Sequence, residues 1–216
     1  MLKNYLKIAL RNLLRKKGYS FLNVAGLGLG MACCLLILQF VVHEYSFDRF
    51  NENTPHLYRI VQAYSQNGQE EGLGSHTAFM AGPTFADATP EIAHYTRIHP
   101  NYGDAIVSYE GPRGTQTFKE TNLYYADSTF LRMFTYPLVK GDPAAALTAP
   151  QTLLVSASTA RKYFGTDDPI GQTLRLTGWV DGPYTVAGVF ADGPSTSHLR
   201  FDFLVPMMDL LARGQY

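Results

Sequence analysis

The chain has 216 residues, with 18 Lys+Arg offset by 18 Asp+Glu, and two cysteines. That length suffices for one membrane anchor and one sizeable domain, and the mildly acidic part after the apolar run gives no electrostatic footprint for nucleic acid. Cys33 and Cys34 stand side by side in an apolar run, where small polarizable side chains pack; the remainder has no disulfide to draw on and must be held by its core.

The charges are unevenly placed. Lys3, Lys7, Arg11, Arg15, Lys16 and Lys17 precede the first acid, Glu44, which leaves 12 basic against 18 acidic residues in the rest. Residues 1–17 follow a helical period, with Leu2, Tyr5, Leu6, Ala9, Leu10 and Leu13 on one side and Lys3, Lys7, Arg11 and Arg15 four apart. Two readings of this basic amphipathic helix stay open: it lies on an anionic cytoplasmic leaflet with lipid as its partner, or its charges serve only as topology determinants. Gly18 is expected to mark the joint at its end.

Tyr19 to Val42 runs for 24 residues without an acidic or basic side chain, where roughly 20 apolar helical residues span a hydrocarbon core. A transmembrane helix over 19–43 is therefore expected, and the basic flank keeps residues 1–18 in the cytoplasm and places 44–216 outside it. A cleaved signal peptide has a shorter apolar region and a small-residue cleavage site, whereas this run passes into His43-Glu44-Tyr45. Lipoprotein cleavage at Cys33 would leave Leu35-Leu36-Ile37-Leu38 as an apolar terminus. Gly26, Gly28 and Gly30 open a groove on the helix, and the G-x-x-x-G spacing of Gly26 and Gly30 suits close packing against another membrane helix.

Beyond the helix, Glu44, Asp48 and Arg49 form either a charged joint between membrane and domain or a solvated linker. Asn51 to Pro55 reads as a turn, Leu57 to Tyr64 as a first strand, and the glycine-rich Gln66 to Ser75 as a loop. Pro83 to Ala88 predicts a short helix and Ile92 to Ile98 a strand. Ala105 to Tyr109 and Thr115 to Lys119 predict a hairpin around Gly111-Pro112-Arg113-Gly114. Asp127 or Ser128 is placed to cap a helix through Phe134, and Ser156 to cap Ala157 to Phe164 with Gly165 closing it. Strands over 152–155, 174–176, 184–190 and 201–205 complete an α+β domain.

Chemistry-bearing motifs are sparse. The chain has no G-x-x-x-x-G-K-[ST] phosphate loop. Six histidines, His43, His56, His76, His94, His99 and His198, lack metal-ligand spacing. Thr159-Ala160-Arg161-Lys162 has the spacing of an S-x-x-K motif without its companions, and reads as a helix turn. Asp167-Asp168-Pro169 reads as a turn rather than a calcium loop.

Several segments taken together resemble one family. LKIALRNLLRKKGYSFLNVAGLGLGMACCLLIL, then HEYSFDRF and LYRIV, resembles the start of FtsX/MacB-like ABC transporter permeases of Bacteroidetes type. TPEIAHYTRI, YADSTFLRMFTYPLVKGDPAAAL, VSASTARKYFG, DPIGQTL, YTVAGVF and SHLRFDFLVPM resemble their periplasmic core domain. The resemblance implies a single N-terminal transmembrane helix followed by a mixed α/β extracytoplasmic domain. It also implies an inner-membrane location and no cofactor in this chain, ATP-Mg being bound by a separate cytoplasmic ABC ATPase. Its implied partners are that ATPase, a second permease copy and a periplasmic component. Relatives carry further transmembrane helices after this domain, so the chain reads as a fragment of a longer permease. A single-pass binding or sensory module is the alternative, and a membrane-anchored hydrolase built on Ser156 or Ser158 a third reading.

Overall fold

The structure, a computed structural model, describes the backbone of residues 2–66, 69–112 and 114–214, and the side chains of all these residues except 2, 3, 6, 9, 10, 66 and 69–71. The chain divides into two compact units, Met1–Phe47 and Asp48–Tyr216.

The first unit holds α1 (Leu2–Arg15) and α2 (Lys17–Glu44). The break falls at Lys16, whose φ of −109° and ψ of 57° leave the helical region. Gly18 thus lies inside the first turn of α2 and is not the joint. At a rise of about 1.5 Å per residue, α2 is long enough to cross a hydrocarbon core. Among the described residues it is the one helix long and apolar enough to do so. Its side chains from Phe21 to Glu44 are all exposed. A helix that is apolar and exposed on every side matches a lipid surround.

In the second unit, β1 (Gln62–Gln66) and β2 (Gln69–Gly74) form a separate antiparallel ribbon. They are followed by α3 (Ala81–Ala88), β3 (Ile98–Pro100), β4 (Ala105–Gly111), β5 (Gly114–Glu120), β6 (Leu123–Ala126) and α4 (Phe130–Met133). Then come β7 (Leu138–Gly141), β8 (Thr152–Ser156), α5 (Ala157–Phe164), β9 (Thr173–Thr177), β10 (Gly182–Phe190), β11 (Phe203–Pro206) and α6 (Met207–Leu211). The main sheet runs β3-β6-β11-β8-β10-β9-β4-β5, with β7 added to the far end of β10. The β6–β11 and β8–β10 pairs are parallel and the rest antiparallel.

The central strands are buried on both faces, as their unbroken apolar runs require. Leu153, Val155, Phe203 and Val205 enter one cluster with Tyr163 and Phe164 of α5. The intervening Leu154 and Leu204 enter a second cluster with Phe130, Tyr136, Phe190 and Phe201. That is the period of two expected along a strand. Ser156 caps α5 as expected, its Oγ accepting the Thr159 N–H at 3.2 Å, and Gly165 ends it with φ +67°.

Other elements depart from the sequence reading. The first strand starts at Gln62 rather than Leu57, part of the supposed loop 66–75 is β2, and Ile92 to Ile98 contributes only the start of β3. Strands β6 and β7 were not anticipated. Residue Asp127 does not cap α4 with its side chain. Its carboxylate is instead taken by Arg97, through the backbone N–H at 2.8 Å, Nε at 2.9 Å and Nη2 at 2.7 Å. A charged fork outcompetes a neutral backbone donor for the same oxygens.

Candidate functional site

The second unit begins with a clamp. Asp48 has φ +56°, a left-handed conformation that Asp tolerates better than most residues. Its N–H donates to Thr196 O at 2.9 Å. Its Oδ1 accepts from the Ser197 hydroxyl at 3.2 Å and the His198 N–H at 3.1 Å, and Oδ2 lies 2.7 Å from His198 Nδ1. Asp48 is therefore fastened to the loop that joins β10 to β11. Within the second unit Asp48 is thus bonded at both its backbone and its side chain.

The next residues grip a different loop, between α4 and β7. Asn51 is 6% exposed and its Oδ1 accepts the Thr135 N–H at 2.9 Å. The Glu52 N–H donates to Thr135 Oγ1 at 3.0 Å. Asn53 Nδ2 donates to Arg132 O at 3.2 Å and Met133 O at 3.0 Å, which satisfies the carbonyls at the end of α4. Thr54 closes the turn, its hydroxyl donating to Asn51 O at 2.6 Å. A cleft of about 230 Å³ remains beside Glu52, Asn53, Arg132 and Pro137.

Tyr136 lies beneath both grips. It is 4% exposed, packs edge-on against Phe50 at 5.5 Å, and donates its hydroxyl to Leu199 O at 2.7 Å. Its oxygen is also 3.1 Å from Ser197 Oγ. Burial pushes the phenol pKa up; the Ser197 hydrogen bond offsets part of the rise and the Asp48 charge adds to it. The side chain is thus a neutral donor across the physiological range.

The remaining expected residues are not members of these hydrogen bonds. Glu44 is the last residue of α2 and Arg49 is exposed. Gly26, Gly28 and Gly30 leave open space where a Cβ would stand. Lys7, Arg11 and Arg15 are exposed on α1, while the Lys3 side chain lies outside the described residues. Thr159 and Lys162 turn to different partners. The threonine hydroxyl accepts from Ser156 at 2.9 Å, and the lysine pairs with Glu120 at 2.6 Å. The same Glu120 oxygen accepts the Tyr163 hydroxyl at 2.6 Å, and burial above all pushes that phenol up. Asp168 pairs with Lys140 at 3.2 Å and accepts the Ile170 N–H at 3.3 Å, which holds residues 168–170 in a turn. Among the described residues no three His, Cys, Asp or Glu converge as metal ligands.

An apolar helix that leads into an α+β domain defines a class: a folded domain that follows a candidate membrane anchor. The MacB-like periplasmic core domain family matches over residues 20–216, and the chain belongs to that family, the periplasmic domains of ABC-type transporter permeases. No curated protein sequence matches it. Among solved structures it is similar to a domain assigned to a permease protein of Porphyromonas gingivalis, at 29% identity and a TM-score of 0.50, covering 59% of this chain and 56% of that one. The periplasmic region of MacB from Actinobacillus actinomycetemcomitans matches at 18% identity and TM-score 0.44, covering 61% and 57%. The extracellular domain of the noncanonic ABC-type transporter YknZ from Gram-positive bacteria matches at 17% and 0.38, covering 56% and 59%. The matched part thus amounts to less than two thirds of each of these chains.

Proposed function

We propose that this chain is the anchored periplasmic part of an inner-membrane permease that works by efflux or mechanotransmission. ATP hydrolysis on a separate cytoplasmic ABC ATPase moves the membrane helix, and the helix moves the domain. The observation that carries this reading is the clamp. Within six residues, Asp48 to Asn53, the chain is bonded to two loops of the domain, so a displacement delivered along the backbone reaches the core instead of being absorbed by slack.

On this reading Lys3, Lys7, Arg11 and Arg15 keep α1 at the cytoplasmic leaflet, and the Gly26 and Gly30 face meets a helix of a second permease copy. The test is affinity purification of the full-length permease from native membranes. Co-purification of an ABC ATPase, with ATP turnover changed by the permease, is the expected result. A permease that purifies without any ATPase, from membranes that contain them, would contradict it.

A further inference from the structure

We infer that Tyr136 is the coupling element of the clamp: its hydroxyl ties the loop that holds Asn51 to the loop that holds Asp48, so that the two grips open together or not at all. This deepens the mechanical reading above, but it concerns events inside the second unit and is tested there.

The contacts form a closed circuit. Asn51 accepts from the backbone of Thr135, and Tyr136 is the next residue. Its hydroxyl reaches Leu199 O at 2.7 Å. The Leu199 N–H returns to Ser197 Oγ at 3.2 Å, and the Ser197 hydroxyl donates to Asp48 Oδ1 at 3.2 Å. Asp48 and Asn51 are rejoined by the Asn51 N–H to Asp48 O bond at 3.3 Å. Two hydroxyl protons serve two acceptors, Leu199 O and the carboxylate, so every strong acceptor is met. Ser197 is 2% exposed and Tyr136 4%, so water does not substitute for a lost member at low cost. Networks of this kind respond to a break as a unit, with effects that do not add.

The experiment uses the whole 216-residue chain in detergent micelles and reads amide hydrogen exchange at Thr135. Asp48→Ala removes the carboxylate's bonds to Ser197 and His198 and leaves only the backbone bond to Thr196. With Tyr136 present, it is expected to speed exchange at Thr135, in the other loop, by about tenfold. In a Tyr136→Phe background, which keeps the ring against Phe50 and Phe130, the same Asp48→Ala change is expected to add less than about twofold. Equal acceleration in both backgrounds would show that the signal runs along residues 48–51 without Tyr136, and would overturn the assignment. A second reading needs no substitution at 136. The phenol proton itself is expected to exchange faster in both Asp48→Ala and Asn51→Ala, and a rate indifferent to either would also overturn it. Neither outcome depends on an ATPase, so failure here and failure of the permease reading are separable.

Discussion

Phe130→Ala is expected to destabilise the Asp48–Tyr216 unit by about 4 kcal/mol, within the range measured for truncating buried aromatics. The ring is fully buried. It stacks on Phe134 at 5.1 Å and Tyr136 at 5.7 Å and meets Phe201 edge-on at 5.3 Å. Because α4 is only four residues long, its hold on the domain comes from packing rather than from its own hydrogen bonds. The expected fall in Tm is roughly 8–16 °C for a unit of this size. Phe130→Leu refills most of the volume and is expected to cost only about 1.5 kcal/mol. Denaturant unfolding read by the fluorescence of Trp179, the single tryptophan, measures both. Similar midpoints for alanine and wild type would mean that this cluster is not what supports Tyr136.

Arg97→Ala is expected to cost about 2–3 kcal/mol, somewhat below the figure for breaking a fully buried ion pair because the partners keep some access to water. Their side chains are 19% and 14% exposed. Loss of the guanidinium leaves the Asp127 carboxylate with the residue-97 backbone N–H in place of the three donors it has now. The cost is that of an under-satisfied buried charge more than of a lost attraction. Arg97→Lys keeps the charge but loses the two-pronged geometry, and is expected to recover only about half of the loss. A urea midpoint for Arg97→Lys at the wild-type value would show that charge alone suffices.

What could be read from the sequence was what is encoded locally. Ser156 caps α5 through a residue three positions away, and the β4–β5 hairpin closes at Gly111 and Gly114, around Pro112. Family membership was legible too, because the resemblance rests on an ordered series of segments over most of the chain, and the family match covers 20–216. The clamp was not. The hydrogen bonds from Asp48 to Asn53 onto the two loops join residues 79 to 150 positions apart, and neither Asn51 nor Tyr136 carries a local pattern that names its partner. Asp48 was singled out only for standing next to the membrane helix.

The same logic accounts for the misread elements. Asp127 has the composition of a helix cap, but Arg97, 30 positions earlier, takes its oxygens. Strand β7 contains a lysine and a glycine, and exists because the end of β10 offers it an unpaired edge. Leu57 to Val61 has strand composition without a neighbouring strand, and makes no ladder.

On the proposed function the helix crosses the membrane and carries the clamped domain on the outer side. Single cysteines at Asn4 and Thr166, both exposed, in a chain with Cys33 and Cys34 replaced by serine, would be labelled in intact spheroplasts with a membrane-impermeant thiol reagent. Labelling at 166 alone is the expected result, with position 4 reacting only after the membrane is permeabilised. Labelling at 4 but not at 166 would place the domain in the cytoplasm and rule out the proposed topology.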